Sequence, residues 1–515
     1  MRLSRAGDAF AVVGCVGIVG AAVALHVLWL LPNHDNAWYL IAARRMLAGG
    51  DYMVDFADPN PPLIMLLNMP PVLLARATGM AAYSCFSLYV GLLILVSLAL
   101  AARPMAACLA EEGGFTGVAL VACAAVLGLL PGYDFGQREH LFSTLFLPFL
   151  FWAAARAVNG PARLGVADVV VVVLGAAGSV IKPFYLLVPG VLFVFRLAGR
   201  EGWRALGDPA VFVFAGVVGL YGGFVLLAYP SFPEAAALQG AVYAVWDRSW
   251  AAVLDSGRDA VAPLVLLAVL AMLAPVRARL RMALWHCVAG SAACLALALL
   301  QKRGWVYHWL PTMQLALFGL AALVSVLLAR LRQSRATSAI AAGPAFGLLV
   351  AIGLASAMLM LRPYGELAST TRARYAADPL FTWLRETVPG RKVMLLTGGF
   401  LMGFPEMADV ELGASAPGQV LLPGTVQLGM GGPAQRARAA ALRPVVVAQL
   451  VGDLERFRPD VVAVDRRHAK QALPDDYDVL GFYADDARFR MVWSGYAPAG
   501  SVPGWDLYRR KAPAG

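Results

Sequence analysis

The chain has 515 residues, 60% of them hydrophobic and 14% charged, with a mean hydropathy of +0.68; a soluble domain carries about 25% charged residues, so most of this chain is suited to lipid. Its formal net charge of +10 does not point to nucleic acid, because the arginines cluster in short segments between apolar runs, where membrane orientation accounts for them. The six cysteines are scattered, mostly inside apolar runs and without a C-x-x-C pair, which speaks against a disulfide framework or a zinc site.

The basic start MRLSR leads into an apolar run over 10–31, enough for the roughly 20 residues of a bilayer span. A cleaved signal peptide has a shorter core and a small-residue cleavage site, so this reads as an uncleaved first transmembrane helix. NHDNAWYL (33–40) then sets His34 and Asp35 at the membrane surface, ahead of Trp38 and Tyr39. An acid there is a helix cap, a consequence of topology, or a catalyst. NAWYLIAARRMLAGG predicts a helix lying in the interface plane, with Trp38, Ile41 and Arg45 on one face. GGDYMVDFADPNPP predicts an extended, turn-rich link in which Asp51 and Asp55 are solvated. PPLIMLLNMPPVLLARATG predicts a second interfacial piece, broken at Pro70-Pro71.

Asp35, WYLIAARRMLAGGDY after it, and DPNPPLIMLLN about twenty-five residues on resemble the GT-C superfamily of membrane glycosyltransferases. The similarity is greatest to the branch of protein O-mannosyltransferases and lipid A aminoarabinose transferases. Members have an acidic motif at the start of the first outside loop and a K-P-P-L-like motif at its end. Many carry Asp-Glu where this chain has Asp35-Asn36, and the lysine of K-P-P is Asn60 here. The likeness covers about the first two hundred residues by motif and the whole chain by architecture; the acceptor does not carry over. It implies transfer of a sugar from a polyprenyl-phosphate donor to an acceptor on the outer side. A phosphate leaving group needs little acid help, but the acceptor hydroxyl needs a base, and one carboxylate suffices for an inverting displacement. Asp35 is the expected base, and partial desolvation at that depth strengthens a carboxylate as a base. Asp58 and Asn60 read either as turn formers or as binders of acceptor or sugar hydroxyls.

Further spans are expected near 80–102, 115–132, 141–158, 166–181, 183–198, 209–229, 260–275, 283–300, 309–329 and 338–361, giving about eleven in all. Pro183 should end any helix at IKPFY. With the N-terminus inside, the inner loops carry Arg2 and Arg5, then Arg103, then Arg156 and Arg163. Arg196, Arg200 and Arg204 follow, then Arg277, Arg279 and Arg281, then Arg330, Arg332 and Arg335, a positive-inside pattern. The outer segments break that pattern with a few cations. GYDFGQREHLF places Arg138, Glu139 and His140 at the start of a span, a costly trio unless paired or wet. Glu139 suits a helix N-terminus and Arg138 opposes it; Asp134 is a secondary candidate acid. Lys182 sits in a membrane-level turn, and QKRGWVYHWLP adds Lys302, Arg303, Tyr307 and His308. Snorkelling accounts for the lysine and an aromatic interface belt for Trp305, Tyr307 and Trp309. A donor-phosphate cradle of Arg138, Lys182, Lys302 and Arg303 explains all four cations together. Glu139, His140, Tyr307 and His308 are then the expected substrate contacts.

From residue 362 the chain is more polar. DPLFTWLRETVPG reads as a helix, RKVMLLTG, PDVVAVD, FRMVWSG and GWDLYRR as strands, and PAQRARAAALRPVVVAQLVGDLERF as a helix broken by Pro444. The expected architecture is a polytopic α-helical membrane protein, GT-C-like over 1–361, with a small extracytoplasmic α/β domain over 362–515. The histidines lack H-x-x-H or H-E-x-x-H spacing and no nucleotide-binding glycine motif occurs, so no metal or cofactor is expected; only His34 with Asp35 offers a rudimentary cation site. The expected setting is a bacterial-type inner membrane, with the N-terminus cytoplasmic and the C-terminal domain periplasmic. The expected partners are a polyprenyl-phosphate sugar, an acceptor glycan, lipid or protein, and membrane lipids. A transporter or lipid-linked-sugar flippase is the alternative, but its ionisable groups belong at mid-membrane, and here they stand at the outer ends of spans.

Overall fold

A computed structural model describes residues 5–199, 202–334, 371–399, 403–416 and 421–512, with residue 401 and some positions between 347 and 360. The predicted span at 338–361 lies largely outside these described residues, as do Arg2, Arg200, Arg335 and the predicted boundary at 361–362. The chain forms two compact units. One comprises Met1–Leu28, Ser87–Phe224 and Arg248–Leu367, and the other Trp29–Phe86, Val225–Asp247 and Ala368–Gly515. The C-terminal sheet thus shares a unit with the first loop and with residues 225–247.

Among the described residues six helical stretches are long and apolar enough to cross a bilayer: Ala9–Leu28, Ala82–Glu112, Arg138–Asn159, Pro209–Ala228, Ala278–Gln301 and Val306–Gln333. Trp250–Ser256 and Arg258–Leu273, bent by 61°, make a seventh if taken as one broken span. The predicted runs at 115–132, 166–181 and 183–198 form the shorter apolar helices Thr116–Gly128, Val166–Ile181 and Pro183–Ala198.

In the helical unit the central element is α6 (Arg138–Asn159), whose residues Arg138 to Arg156 are all buried. It packs on α7 (Val166–Ile181), α13 (Ala278–Gln301) and α14 (Val306–Ser334). Small residues let backbones approach closely in such bundles. A Cβ on Gly175 of α7 would stand 2.6 Å from the Phe149 ring, and one on Gly178 3.1 Å from Leu145. At the end of α7, Lys182 is extended and Pro183 opens a short 3-10 turn, so the helix stops where the proline predicts. All six cysteines are buried thiols.

The other unit carries a five-stranded sheet in the order β2-β1-β3-β5-β4. Strands β1 (Lys392–Leu396), β2 (Glu411–Leu412) and β3 (Val461–Asp465) run parallel; β4 (Tyr496–Val502) and β5 (Trp505–Arg510) complete it antiparallel. Alternation puts Met394, Leu396, Val462 and Val464 on one face with the helix Pro433–Phe457. Val393, Leu395, Val461 and Ala463 face Phe381, Leu384 and Phe404 on the other. Both faces are covered, which is why β1 and β3 read as continuous apolar runs.

Three predicted breaks or strands are corrected. Helix α3 (Leu63–Thr78) runs through Pro70 and Pro71, with Ile64, Asn68, Pro71 and Val72 buried along one stripe on both sides of the prolines. The helix Pro433–Phe457 runs through Pro444, anchored by Ala439 before it and Val446, Val447, Leu450 and Leu454 after it. Burial of a continuous face outweighs a lost backbone hydrogen bond in both. FRMVWSG is not a strand: Ala487–Trp493 is helical, started by the Asp486 side chain, which accepts from Phe489 N at 2.9 Å. The strand comes after it, in β4, whose YAPAGSV composition gives no strand signal.

Candidate functional site

Helix α2 (His34–Leu47) follows the first apolar helix. Its cap is Asn33, whose Oδ1 accepts from Asp35 N at 2.9 Å, so Asp35 is not the cap. Asp35 stands in the first turn, where the helix dipole favours an anion. It is half-buried, with its Oδ1 3.5 Å from His34 Nε2. One face of α2 feeds a network below it. Trp38 Nε1 donates to Asp58 Oδ2 at 2.8 Å, while Asp58 Oδ1 accepts from the backbone and side-chain nitrogens of Asn60 at 2.7 and 2.6 Å. Asn60 Nδ2 also points to the Tyr39 hydroxyl at 3.4 Å, and Tyr52 donates its hydroxyl to the Asn60 carbonyl. Asp58 and Asn60 therefore form a turn whose side chains are locked to the aromatic residues of α2.

Asp55 is corrected from a solvated residue to a buried one. Its carboxylate takes Nε and Nη2 of Arg456, each at 2.7 Å. Arg45 donates to the Asp55 and Ala414 carbonyls at 2.5 Å and to the Leu412 carbonyl, with its guanidinium 4.6 Å over the Phe457 ring. Arg44 pairs with Glu406. Behind this network lies Asp453, whose Oδ2 accepts from Ser415 N at 3.1 Å. Burial pushes its carboxyl up to about 7, against hydrogen bonds from Ser415 and the nearby Arg45 and Arg456. None of these long-range partners is marked in the sequence. The one available signal was the charged i, i+3 pair Asp453 and Arg456 on a helix face that is otherwise apolar.

The charged residues at the helix ends of the other unit also draw together. Arg138, Glu139 and His140 begin α6 and are all buried. Glu139 Oε1 meets Lys182 Nζ at 2.5 Å, an ion pair with both side chains inside the protein. Lys182 Nζ also lies 5.8 Å from the centre of the Tyr307 ring, which sets its edge against His308 with 4.6 Å between centroids. Lys182, Arg138 and Arg303 all act electrostatically on His308. Three of the four cations predicted for phosphate thus lie within electrostatic reach of one buried imidazole. Lys302, in the left-handed turn after α13, instead lies 5.6 Å over the Trp250 ring. His140 is fixed by its own turn, Nδ1 accepting from Gly136 N at 2.8 Å. Trp309 is not an interface-belt residue: it is 2% exposed and donates Nε1 to Ser256 Oγ at 3.2 Å, packed in the bend between Trp250–Ser256 and Arg258–Leu273.

Chemically, the first unit brings several cations near one another, Lys182 among them held by the Glu139 carboxylate, an arrangement suited to a phosphate. The second offers a carboxylate at a helix N-terminus beside a hydrogen-bonded turn. Among the described residues no group of three or more His, Cys, Asp or Glu is placed to hold a metal.

No family signature and no curated protein matches the chain. Solved structures do. ArnT from Cupriavidus metallidurans bound to undecaprenyl phosphate aligns with a TM-score of 0.55 and 14% identity over 99% of each chain. The same protein in its apo state aligns at 0.50 and 16%, over 96% of this chain and 97% of that one. At such identity the likeness speaks for the fold alone: the chain has the fold of ArnT.

Proposed function

We propose that the protein is a membrane glycosyltransferase that moves a sugar from a polyprenyl-phosphate carrier to an acceptor on the extracytoplasmic side. The observation that carries this is the gathering of Arg138, Lys182 and Arg303 about His308 at helix ends, in a chain with the fold of ArnT. ArnT was solved with undecaprenyl phosphate bound, and a carrier of that class is the proposed donor. The acceptor hydroxyl attacks the anomeric carbon and gives its proton to Asp35. The bond from that carbon to the phosphate oxygen breaks, and the polyprenyl phosphate leaves with the electron pair. The configuration inverts.

In this reading Arg138, Lys182 and Arg303 hold the donor phosphate and offset the charge that builds on it as the bond breaks. Glu139 tethers Lys182 so that its ammonium does not have to be ordered at each turnover. His140, Tyr307 and His308 border the sugar, and Asp58 and Asn60 place the acceptor hydroxyl. The membrane is a bacterial-type inner membrane, with the C-terminal domain outside.

The test is direct. Purified protein, a polyprenyl-phosphate sugar and extracted envelope lipids should yield a new glycosylated product and free polyprenyl phosphate in equal amounts. Movement of labelled lipid-linked sugar across vesicles with no product would oppose the transferase and favour a flippase.

A further inference from the structure

The sheet-bearing unit contains a cavity of about 290 Å³ lined by none of the residues assigned to transfer. Its polar wall comes from Asp453, Gln449 and Arg456 of the helix Pro433–Phe457, Ser415 after β2, and Gln239 of α10 (Phe232–Tyr243). Leu238, Leu421, Val445 and Ala448 supply an apolar wall. At this volume, near the lower end of ligand cavities at roughly 300 Å³, a single small ring fits better than an extended chain.

The charges select the ligand. Arg456 has its Nε and Nη2 taken by Asp55 at 2.7 Å each, so its positive charge is matched. Asp453 is 5% exposed and lies in the field of Arg45 and Arg456. Arg456 is neutralised by Asp55, and the Asp453 carboxyl keeps its proton until about pH 7, so the wall offers no unmatched charge to an anion or a cation. A neutral ligand fits such a wall without needing one. The remaining polar groups are amides, a hydroxyl and a carboxylate. Gln449 Nε2 lies 3.4 Å from Ser415 Oγ, and Gln239 commits its Nε2 to the Ala57 carbonyl at 3.1 Å, which turns its oxygen to other donors. Such a set suits hydroxyls, which donate and accept at once, while the apolar wall suits the C–H face of a sugar ring.

We propose that this cavity is a carbohydrate-binding subsite that holds one neutral sugar residue of the acceptor. The proposal rests on the transferase reading for the source of the sugar, and its test does not require turnover. The full-length protein, in a detergent without a sugar headgroup, is titrated with neutral methyl hexosides and pentosides, a hexosamine and a hexose phosphate, with binding read by saturation-transfer NMR. Gly452 lines the cavity, and a Cβ there meets nothing within 4 Å; Gly452→Leu therefore fills the space without a clash at its base. Expected are millimolar binding of at least one neutral glycoside, weaker binding of the charged sugars, and at least a tenfold loss in both Gly452→Leu and Gln449→Ala. No binding of any neutral glycoside, or binding that survives Gly452→Leu, overturns the subsite. Binding lost in Gly452→Leu, in a protein that transfers no sugar, keeps the subsite and removes the transferase reading. Transfer without neutral-glycoside binding does the reverse.

Discussion

The ion pair of Glu139 and Lys182 is buried on both sides, and that sets what its removal does. Taking one partner from a buried pair leaves an uncompensated charge and costs about 3–5 kcal/mol, while replacing both by apolar groups is often neutral. Lys182→Met should therefore lower the unfolding temperature more than the double change Lys182→Met with Glu139→Leu; equal losses would show that the pair is solvated. Asp453 gives a second test, through pH. Its carboxyl is held at about 7 in the folded chain against 3.8 as its ordinary value, so the folded state binds the proton more tightly. The stability this contributes is fully present below about pH 4 and is lost as pH rises through about 7. Asn copies the protonated form. Asp453→Asn should match the parent below about pH 4 and exceed it by a margin that grows up to about pH 7 and then holds, each unit of displacement being worth about 1.4 kcal/mol. A thermal-unfolding series from about pH 4 to 8.5 reads the difference, and parallel curves would remove the buried acid. Lys182 and Glu139 were visible in the sequence as charges at helix ends that lipid should exclude. Asp55 was not, because its partner Arg456 stands 401 positions away, and Asp453 showed only as an acid paired with Arg456 on a helix face.

The helices show how far local rules reach. Pro183 ends α7 as predicted: Lys182 before it is extended, and a short 3-10 turn follows. Pro70, Pro71 and Pro444 end nothing, because apolar residues on either side share one buried stripe. Pro444 itself is exposed, so its substitution removes no packing. Pro444→Ala should restore a backbone hydrogen bond and raise stability by up to about 3 kcal/mol, measured as a higher unfolding temperature; an unchanged value would mean that the helix is already bent enough to do without that bond. The apolar strands β1 and β3 were legible from composition. Strand β4, with two residues of Pro and Gly in seven, was not; it is a strand because β5 pairs with it across a register shift between Pro498 and Gly500. The same limit explains FRMVWSG, where aromatic and branched residues suggested a strand and a capping aspartate made a helix.

For the molecule as a whole, composition and the first-loop motifs carried most of the information. Composition gave a polytopic helical chain with a mixed α/β domain, because lipid imposes length and apolarity on each span, and the motifs pointed to the fold that ArnT shares. They did not show that the first loop and residues 225–247 join the sheet in one compact unit, since those contacts leave no local pattern. The arginine bias predicts an orientation: a reporter active only in the cytoplasm should work at the N-terminus and fail at the C-terminus, and the opposite pattern would invert every inner and outer assignment. The role proposed for Asp35, accepting the acceptor's proton, is tested by following polyprenyl phosphate released by the parent and by Asp35→Asn at saturating donor. Turnover should fall by at least about 10²-fold, with unfolding temperature and donor affinity unchanged. Turnover within a few-fold of the parent's would contradict that role.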